Sequence, residues 1–352
     1  MKIHIIGAGP AGTISAISAL NSGFDVTISE KNPESGSQIS CSGLISKSGL
    51  DSLSKYINYK KLVENSFNGA IIDFCGVQFV VEKKTNIAFK INRKLFDYQL
   101  VENAIDEGAK INYNEKIKNK FYSCNIIGAD GPLSSTADFF NFPKIKKFVC
   151  TAQAKIRYTP EDHRKVMLFY SNSLFPGFFG WLIPINEDYS EIGCGSVLPQ
   201  NPKKGLNHII KKFKSHSKKT TFSIIPITTR EKTGLVYNRR NILLVGDAAG
   251  QTKATTGGGI VFGGNCASIA GRNADNPINY EREWRKEFGF DLSVHSLIQS
   301  FLEGRSDSDL KNLGIFLNSS KIDTYLSKNG DMDRPSKMIN ANLIAYFAKN
   351  FF

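Results

Sequence analysis

Apolar and polar positions divide the chain into a few recognisable periods. Residues 2–6 (Lys-Ile-His-Ile-Ile) form a short apolar run that ends at Gly7, the signature of a buried strand. From about Pro10 to Asn21, Ile14, Ile17 and Leu20 fall on one helical face, and Gly23 closes the helix. Residues 25–30 then read as a second strand that ends at Glu30. A β-α-β order of this kind implies a parallel sheet. Between 68 and 92 the period changes: Ala70–Ile72, Val77–Val81 and Ala88–Ile91 read as short strands of a meander. A helix over about 94–107, a strand near 110–113 and an apolar strand at 125–129 follow. Residues 149–230 read as mostly β with one helix near 202–215, residues 241–246 return to a buried strand, and 276–352 read as helical. The alternation predicts an α/β fold in which one parallel-sheet domain is interleaved with an antiparallel β-sheet domain, with helices at the C-terminus.

Two glycine-rich segments give this frame a chemistry. Gly7-Ala8-Gly9-Pro10-Ala11-Gly12 follows the first strand, opens the first helix and has Glu30 at the end of the next strand. That context makes it a Rossmann dinucleotide fingerprint. Gly7 makes the turn, Gly9 lets the backbone approach a pyrophosphate, Gly12 lets helix pack on strand, and Glu30 binds ribose hydroxyls. The pyrophosphate sits at the helix N-terminus, where free N–H groups and the dipole favour an anion. The second segment is Gly246-Asp247-Ala248-Ala249-Gly250, continued by Thr256-Gly257-Gly258-Gly259-Ile260. Asp247 can accept from a ribityl hydroxyl, and the glycine run leaves helix N–H groups open to an anionic ring edge. An extended FAD needs two such anchors, one at each end. The expected division is an FAD-binding domain over 1–67, 93–148 and 238–275, a substrate sheet domain over 68–92 and 149–237, and a helical region over 276–352.

Together with Gly128-Ala129-Asp130-Gly131, these motifs resemble the p-hydroxybenzoate hydroxylase-type flavoproteins, and within them the geranylgeranyl reductases. Three segments carry the closer resemblance: Cys41-Ser42-Gly43-Leu44-Ile45-Ser46, Gly250–Ile260, and Gly180-Trp181-Leu182-Ile183-Pro184 followed by Ile192-Gly193-Cys194-Gly195. The resemblance implies flavin contacts at Gly12, Glu30, Cys41, Ser42, Gly43, Arg93, Asp247, Gly259 and Ile260, and the glycine run adds Gly257 and Gly258 to the candidates. It places Cys41 near the flavin ring, where a thiol can donate a proton or exchange redox equivalents; the plainer reading is a small buried apolar residue. It implies an apolar tunnel walled by Phe178, Phe179, Trp181 and Pro184. The chain departs from the family pattern in three places, one being a short stretch between the strand near 110–113 and Gly128 that leaves little room for the usual small meander. The Tyr of Tyr-x-Trp-x-Phe-Pro is Phe179 here, and Ala254 stands where a proline is usual. The implied activity is FAD-dependent saturation of carbon–carbon double bonds in an isoprenoid ether lipid or prenyl diphosphate. A flavin monooxygenase acting on an aromatic or prenylated substrate is the alternative. Because there is no second GxGxxG, the electrons are expected from an external donor, ferredoxin or NAD(P)H.

Charge bears on partners. Lys and Arg exceed Asp and Glu by 13, in short lysine groups such as Lys203-Lys204, Lys211-Lys212 and Lys218-Lys219. That surface suits an anionic head group or membrane. There is no arginine-rich arm or zinc-finger spacing to speak for nucleic acid. The six cysteines are scattered without metal-ligand spacing, and the five histidines form no cluster, so no metal is expected. His4 is expected to be a satisfied core residue. The Gly7–Gly12 spacing argues against a signal peptide, and no stretch reaches the length of a membrane span. The expected location is cytoplasmic, with peripheral contact at the inner face of the membrane. The C-terminal run Met338, Ile339, Leu343, Ile344, Phe347, Phe351 and Phe352 reads as an amphipathic helix that packs on the protein or docks on lipid.

Overall fold

The computed structural model describes residues 1–37, 40–117, 124–320 and 322–338, and of Met338 only the backbone. The amphipathic C-terminal run from 339 onward lies outside the described residues, as does most of the short stretch before Cys124. The chain starts with β1 (Lys2–Ile6), α1 (Pro10–Leu20) and β2 (Asp25–Ser29). A small layer follows: β3 (Leu44–Ser46), α2 (Lys47–Ser52), β4 (Val63–Phe67), β5 (Gly69–Phe74), β6 (Val77–Glu82) and β7 (Ala88–Ile91). Then come α3 (Arg93–Asp106), β8 (Lys110–Asn112), β9 (Asn125–Gly128) and α4 (Ser135–Phe139). The long β region comprises β10 (Phe148–Ile156), β11 (Lys165–Tyr170), β12 (Gly180–Pro184), β13 (Ser190–Val197), α5 (Lys203–Lys212) and β14 (Thr220–Pro226). The chain returns through β15 (Gly234–Tyr237), β16 (Arg240–Leu244) and α6 (Ile260–Arg272). It continues in helices α7 (Pro277–Trp284), α8 (Phe290–Glu303), α9 (Asp307–Ser319) and α10 (Ile322–Asn329).

These strands form three sheets. The first runs β15-β16-β9-β1-β2-β8 and is parallel apart from the β15–β16 pair. It is the Rossmann layer expected from the sequence, and Ile3, Ile5, Ile28, Ile127 and Leu243 fill its core. The second runs β14-β10-β13-β12-β11-β5-β6 and is antiparallel except where β5 meets β11. Its two faces carry separate apolar clusters, one around Trp181, Phe178 and Val149, the other around Leu182, Cys194 and the underside of α5. The third sheet, β3-β7-β4, lies between the loops of the nucleotide layer and the large sheet.

Two strands differ from the sequence-drawn boundaries. Residues 88–91 do not continue the β5–β6 hairpin as a meander; they pair with β3 and β4 instead. Gly234–Tyr237 pairs with β16 as an edge of the nucleotide sheet, outside the substrate sheet. For 88–91 the local period was read correctly, but a strand's period does not name its partner, while 234–237 fell between the strands read from the sequence.

Small residues bring α1 and α6 together. A Cβ on Gly271 would lie 2.4 Å from Ser15 O, and Ser18 Oγ donates to Ser268 O at 2.7 Å. Ser15 donates to Ala267 O at 3.2 Å, so the two helices run side by side in the same direction. Their N-termini therefore open at the same edge of the sheet, the carboxyl ends of β1, β9 and β16, where ligands bind in open α/β sheets.

Candidate cofactor and substrate site

The turn after β1 is shaped by its glycines. Gly7 has φ +102°, and a Cβ there would lie 2.4 Å from Ala129 O. A Cβ on Gly12 would lie 1.9 Å from Gly7 O, so helix, turn and the 128–131 segment are in mutual contact. Gly9 is different: a Cβ there meets nothing within 4 Å. It is also the N-cap of α1 and offers no side-chain cap, so the first N–H groups of the helix point into open space. Glu30 is buried and ties the turn down, with Oε2 accepting from Ala8 N at 2.8 Å and Oε1 from Asn32 N at 2.9 Å. A polar recess of about 120 Å³ lies here, lined by Ala8, Gly9, Glu30, Asn32, Ser35, Gly36 and Asp97. His4 sits beneath as a core residue, its Nε2 2.9 Å from Ser29 Oγ.

The second motif abuts the first. A Cβ on Gly246 would lie 2.8 Å from the Ala11 methyl, and one on Gly263 would lie 3.0 Å from Gly246 Cα. The two motifs, some 240 residues apart in sequence, are thus one surface. Gly257 takes φ +71°, and its N–H donates to Lys253 O at 2.7 Å. Gly259 caps α6 without a side-chain partner, which leaves the N–H groups beginning at Ile260 open. The Asp247 carboxylate stands over that end, with Oδ1 2.9 Å from where a Gly259 Cβ would be. Among the described residues it accepts no hydrogen bond. Burial lifts its pKa to about 6, against the pull of the Arg93 charge.

Arg93 is no solvated surface residue. Its guanidinium makes a two-pronged pair with Asp97, with Nε and Nη2 each 3.0 Å from a carboxylate oxygen. Burial disfavours its charge, but Asp97 and the adjacent Cys41 outweigh burial and raise its pKa. Asp97 was missed at the sequence level, although its i,i+4 spacing from Arg93 on a helix could have found it. Cys41 is exposed, which corrects the plainer reading of a buried apolar thiol. The loop it opens is held tightly. Gly43 takes φ +69°, a Cβ there would lie 2.4 Å from Ile91 O, and Ser42 O accepts from Lys90 Nζ at 2.7 Å.

The aromatic residues assemble on the face of the large sheet that looks toward these loops. Phe178, Phe179 and Trp181 are buried with Leu44 and Ala254 in one cluster. Ring centroids of Phe178 and Phe179 are 4.5 Å apart, and those of Phe179 and Trp181 5.7 Å. Pro184 is buried at the end of β12, and its carbonyl accepts from Asn65. A tyrosine ring does stand beside Phe179, supplied by Tyr170 of β11 at 5.7 Å. Sequence spacing could not show that neighbour, because it comes from another strand.

Residues 2–128 match the family model described as "Glucose inhibited division protein A". Over nearly its whole length the chain is similar to curated archaeal proteins. It is 26% identical to the digeranylgeranylglycerophospholipid reductase of Methanosarcina acetivorans, over 92% of this chain and 89% of that protein. It is also 26% identical to digeranylgeranylglycerophospholipid reductase 1 of Methanothermobacter thermautotrophicus, over 89% of each. Among solved structures, a geranylgeranyl bacteriochlorophyll reductase-like protein from Thermoplasma acidophilum superposes with a TM-score of 0.80 at 18% identity, covering 99% of this chain and 96% of that one. A flavin-dependent halogenase superposes at 0.67 with 16% identity, covering 99% and 78%. These matches bear out the resemblance and the fold read from the sequence motifs.

Proposed function

We propose that this chain is an FAD-dependent reductase that saturates carbon–carbon double bonds of geranylgeranyl or related isoprenoid chains. The observation that carries the reading is full-length similarity to digeranylgeranylglycerophospholipid reductases, joined to a site with two abutting anchors for one extended FAD. The residues fit that cofactor on their own evidence. The space above Gly9 is open, two helix N-termini lack side-chain caps, and the half-buried Asp247 has no hydrogen-bond donor among the described residues. The flavin monooxygenase alternative shares the fold, and the full-length relatives do not favour it.

Gly7, Gly9 and Gly12 would shape the pyrophosphate turn, Glu30 would face the ribose, Asp247 would take the ribityl hydroxyls, Gly257 and Gly258 would shape the loop beside the ring, and Gly259 and Ile260 would present N–H groups to its edge. When bound and reduced, FAD supplies the hydride. The protein's part is to keep water out, to seat the chain and to bring a proton. Phe178, Phe179 and Trp181 offer an apolar wall for an isoprenoid chain, and an isolated alkene needs that dry, oriented setting. Arg93 links the parts: paired with Asp97, it sets its charge beside both Cys41 and Asp247. The division into FAD-binding, substrate and helical regions stays as drawn from the sequence, with the two strands above reassigned. The net charge of +13 suits an anionic lipid head group at a membrane surface, and no helix among the described residues is long and apolar enough to cross one. An external ferredoxin or NAD(P)H completes the scheme as electron donor.

The test is anaerobic incubation of FAD-loaded, dithionite-reduced protein with unsaturated archaeal ether lipid and with geranylgeranyl diphosphate, followed by mass spectrometry. The reading expects a gain of H2 for each double bond saturated. No gain with any isoprenoid would overturn it.

A further inference from the structure

The aromatic wall contains charge that the scheme above does not use. Lys90 of β7 is buried, and its ammonium lies 3.7 Å from Glu64 Oε2 on β4 and 3.7 Å from Glu191 Oε2 on β13. The same ammonium donates to Ser42 O, inside the Cys41–Gly43 loop, at 2.7 Å. In the large sheet, Trp181 stands opposite Gly193 and Ile183 opposite Glu191. The Glu191 side chain therefore projects from the same face as Trp181. Glu191 Oε1 and Trp181 Nε1 are both buried with no hydrogen-bond partner.

The cluster is one proton short of charge balance, with one ammonium serving two carboxylates. Glu64 has a third of its side chain in water, whereas Glu191 has 14%. The extra proton belongs on the more buried acid. Lys155 lies opposite Glu191 in the β10 register, but its ammonium is turned onto the Tyr189 ring, 4.2 Å from the centroid, and does not compensate.

We propose that Glu191 is the acid of the substrate chamber, carrying as an undissociated carboxyl the proton that each saturation consumes. The inference rests on the reductase reading and adds to it the group that supplies the proton. Each double bond takes one hydride, from reduced flavin, and one proton. The Glu191 O–H bond breaks, a C–H bond forms at the alkene carbon that did not receive the hydride, and a carboxylate remains beside Lys90. Lys90 holds that carboxylate until water returns a proton past Glu64. Burial raises the pKa of Glu191, Lys90 opposes the rise and Glu64 adds to it, so the net shift favours the protonated carboxyl.

Two measurements test the assignment. Infrared difference titration of the FAD-loaded protein between about pH 5 and 8 should show a protonated-carboxyl stretch that Glu191→Gln removes. Saturation by E191Q should fall about 100-fold with FAD still bound, the scale of a lost general acid. Glu191→Asp should recover part of the rate. Unchanged saturation in E191Q, or no removable carboxyl band across that range, would overturn the proposal. If wild-type protein saturates no isoprenoid, the reductase reading falls and the proton loses its destination, while the band still decides whether Glu191 is protonated.

Discussion

Lys253 Nζ and Asp333 Oδ1 form a buried ion pair at 2.7 Å, with side chains 7% and 8% exposed, and it joins the C-terminal segment to the glycine loop. Lys253 N donates to Gly258 O at 3.1 Å, and its carbonyl takes the Gly257 N–H, so Lys253 is part of the loop's frame. The other Asp333 oxygen takes the Ser46 hydroxyl at the end of β3. One carboxylate thus fastens the proposed flavin loop to the strand that follows Cys41–Gly43.

Replacing Asp333 by Asn leaves Lys253 charged and buried. Breaking a buried pair from one side costs about 3–5 kcal/mol. Urea unfolding of D333N should show a loss of that order, and FAD should bind more weakly because the loop is freed. K253M/D333L removes both charges and should lose much less. The wild-type pair also has a pH signature. Burial works against the Asp333 charge, but Lys253, the Ser46 hydrogen bond and His295 outweigh burial and depress its pKa. Its contribution is therefore complete above the ordinary carboxylate pKa and is lost as pH falls through the depressed folded value.

Two glycines of one motif should respond in opposite ways to the same substitution. Gly12→Ala drives a methyl against Gly7 O, 1.9 Å from the ideal Cβ position, and must displace backbone. G12A should unfold at markedly lower denaturant or fail to fold. Gly9→Ala meets nothing within 4 Å. G9A should melt within about 1 kcal/mol of wild type without cofactor, the usual range for an unstrained helix-end change, yet lose FAD because the methyl occupies the pyrophosphate's approach. Normal FAD affinity in G9A would remove the motif from the cofactor site.

The contrast shows which parts of the site could be read in advance. The placement of Gly7, Gly9, Gly12, Glu30 and Asp247 was legible because it follows from local order: strand, turn, helix, acid. The clustering of Trp181 with Phe178 and Phe179 was legible through their motif. Lys90, Glu191 and Tyr170 were not, since each matters through a partner on a strand distant in sequence. Lys90 in an alternating strand looks like a solvent-facing residue, and only the β3-β7-β4 sheet turns it inward. Asp333 was hidden for the same reason, in a break between helices that the sequence read as continuous helix.

Cys41 is exposed in the protein without cofactor, and its side chain adjoins the Arg93 guanidinium. If the flavin ring covers this loop, FAD should protect the thiol. Alkylation by iodoacetamide, followed by peptide mass spectrometry, should label Cys41 readily in apoprotein and much more slowly after FAD is added. Buried Cys194 and Cys266 should stay unlabelled in both states. Cys41→Ala should keep FAD and lower turnover if the thiol takes part in the chemistry. Unaltered turnover would confine it to the wall of the site.

Asp247 should make the apoprotein less stable and the holoprotein possible. Burial holds its folded pKa at about 6, above the ordinary 3.8. A raised carboxyl pKa means that the folded state binds the proton more tightly. Apoprotein stability should therefore fall as pH rises from about 4 through about 6, by up to about 3 kcal/mol, and level off above. Asp247→Asn removes the penalty: apo D247N should match wild type near pH 4 and be the more stable protein at pH 8. Arg93 subtracts from the gain, because it loses a nearby opposite charge. FAD affinity should move the other way. A carboxylate accepting ribityl hydroxyls is a charged hydrogen bond worth about 1.5–3 kcal/mol, so D247N should bind FAD about tenfold to 100-fold more weakly. Flavin fluorescence titration and thermal melts at both pH values read the two effects separately. A variant that lost stability at pH 8 while keeping its flavin would show that Asp247 serves the fold and does not hold the cofactor.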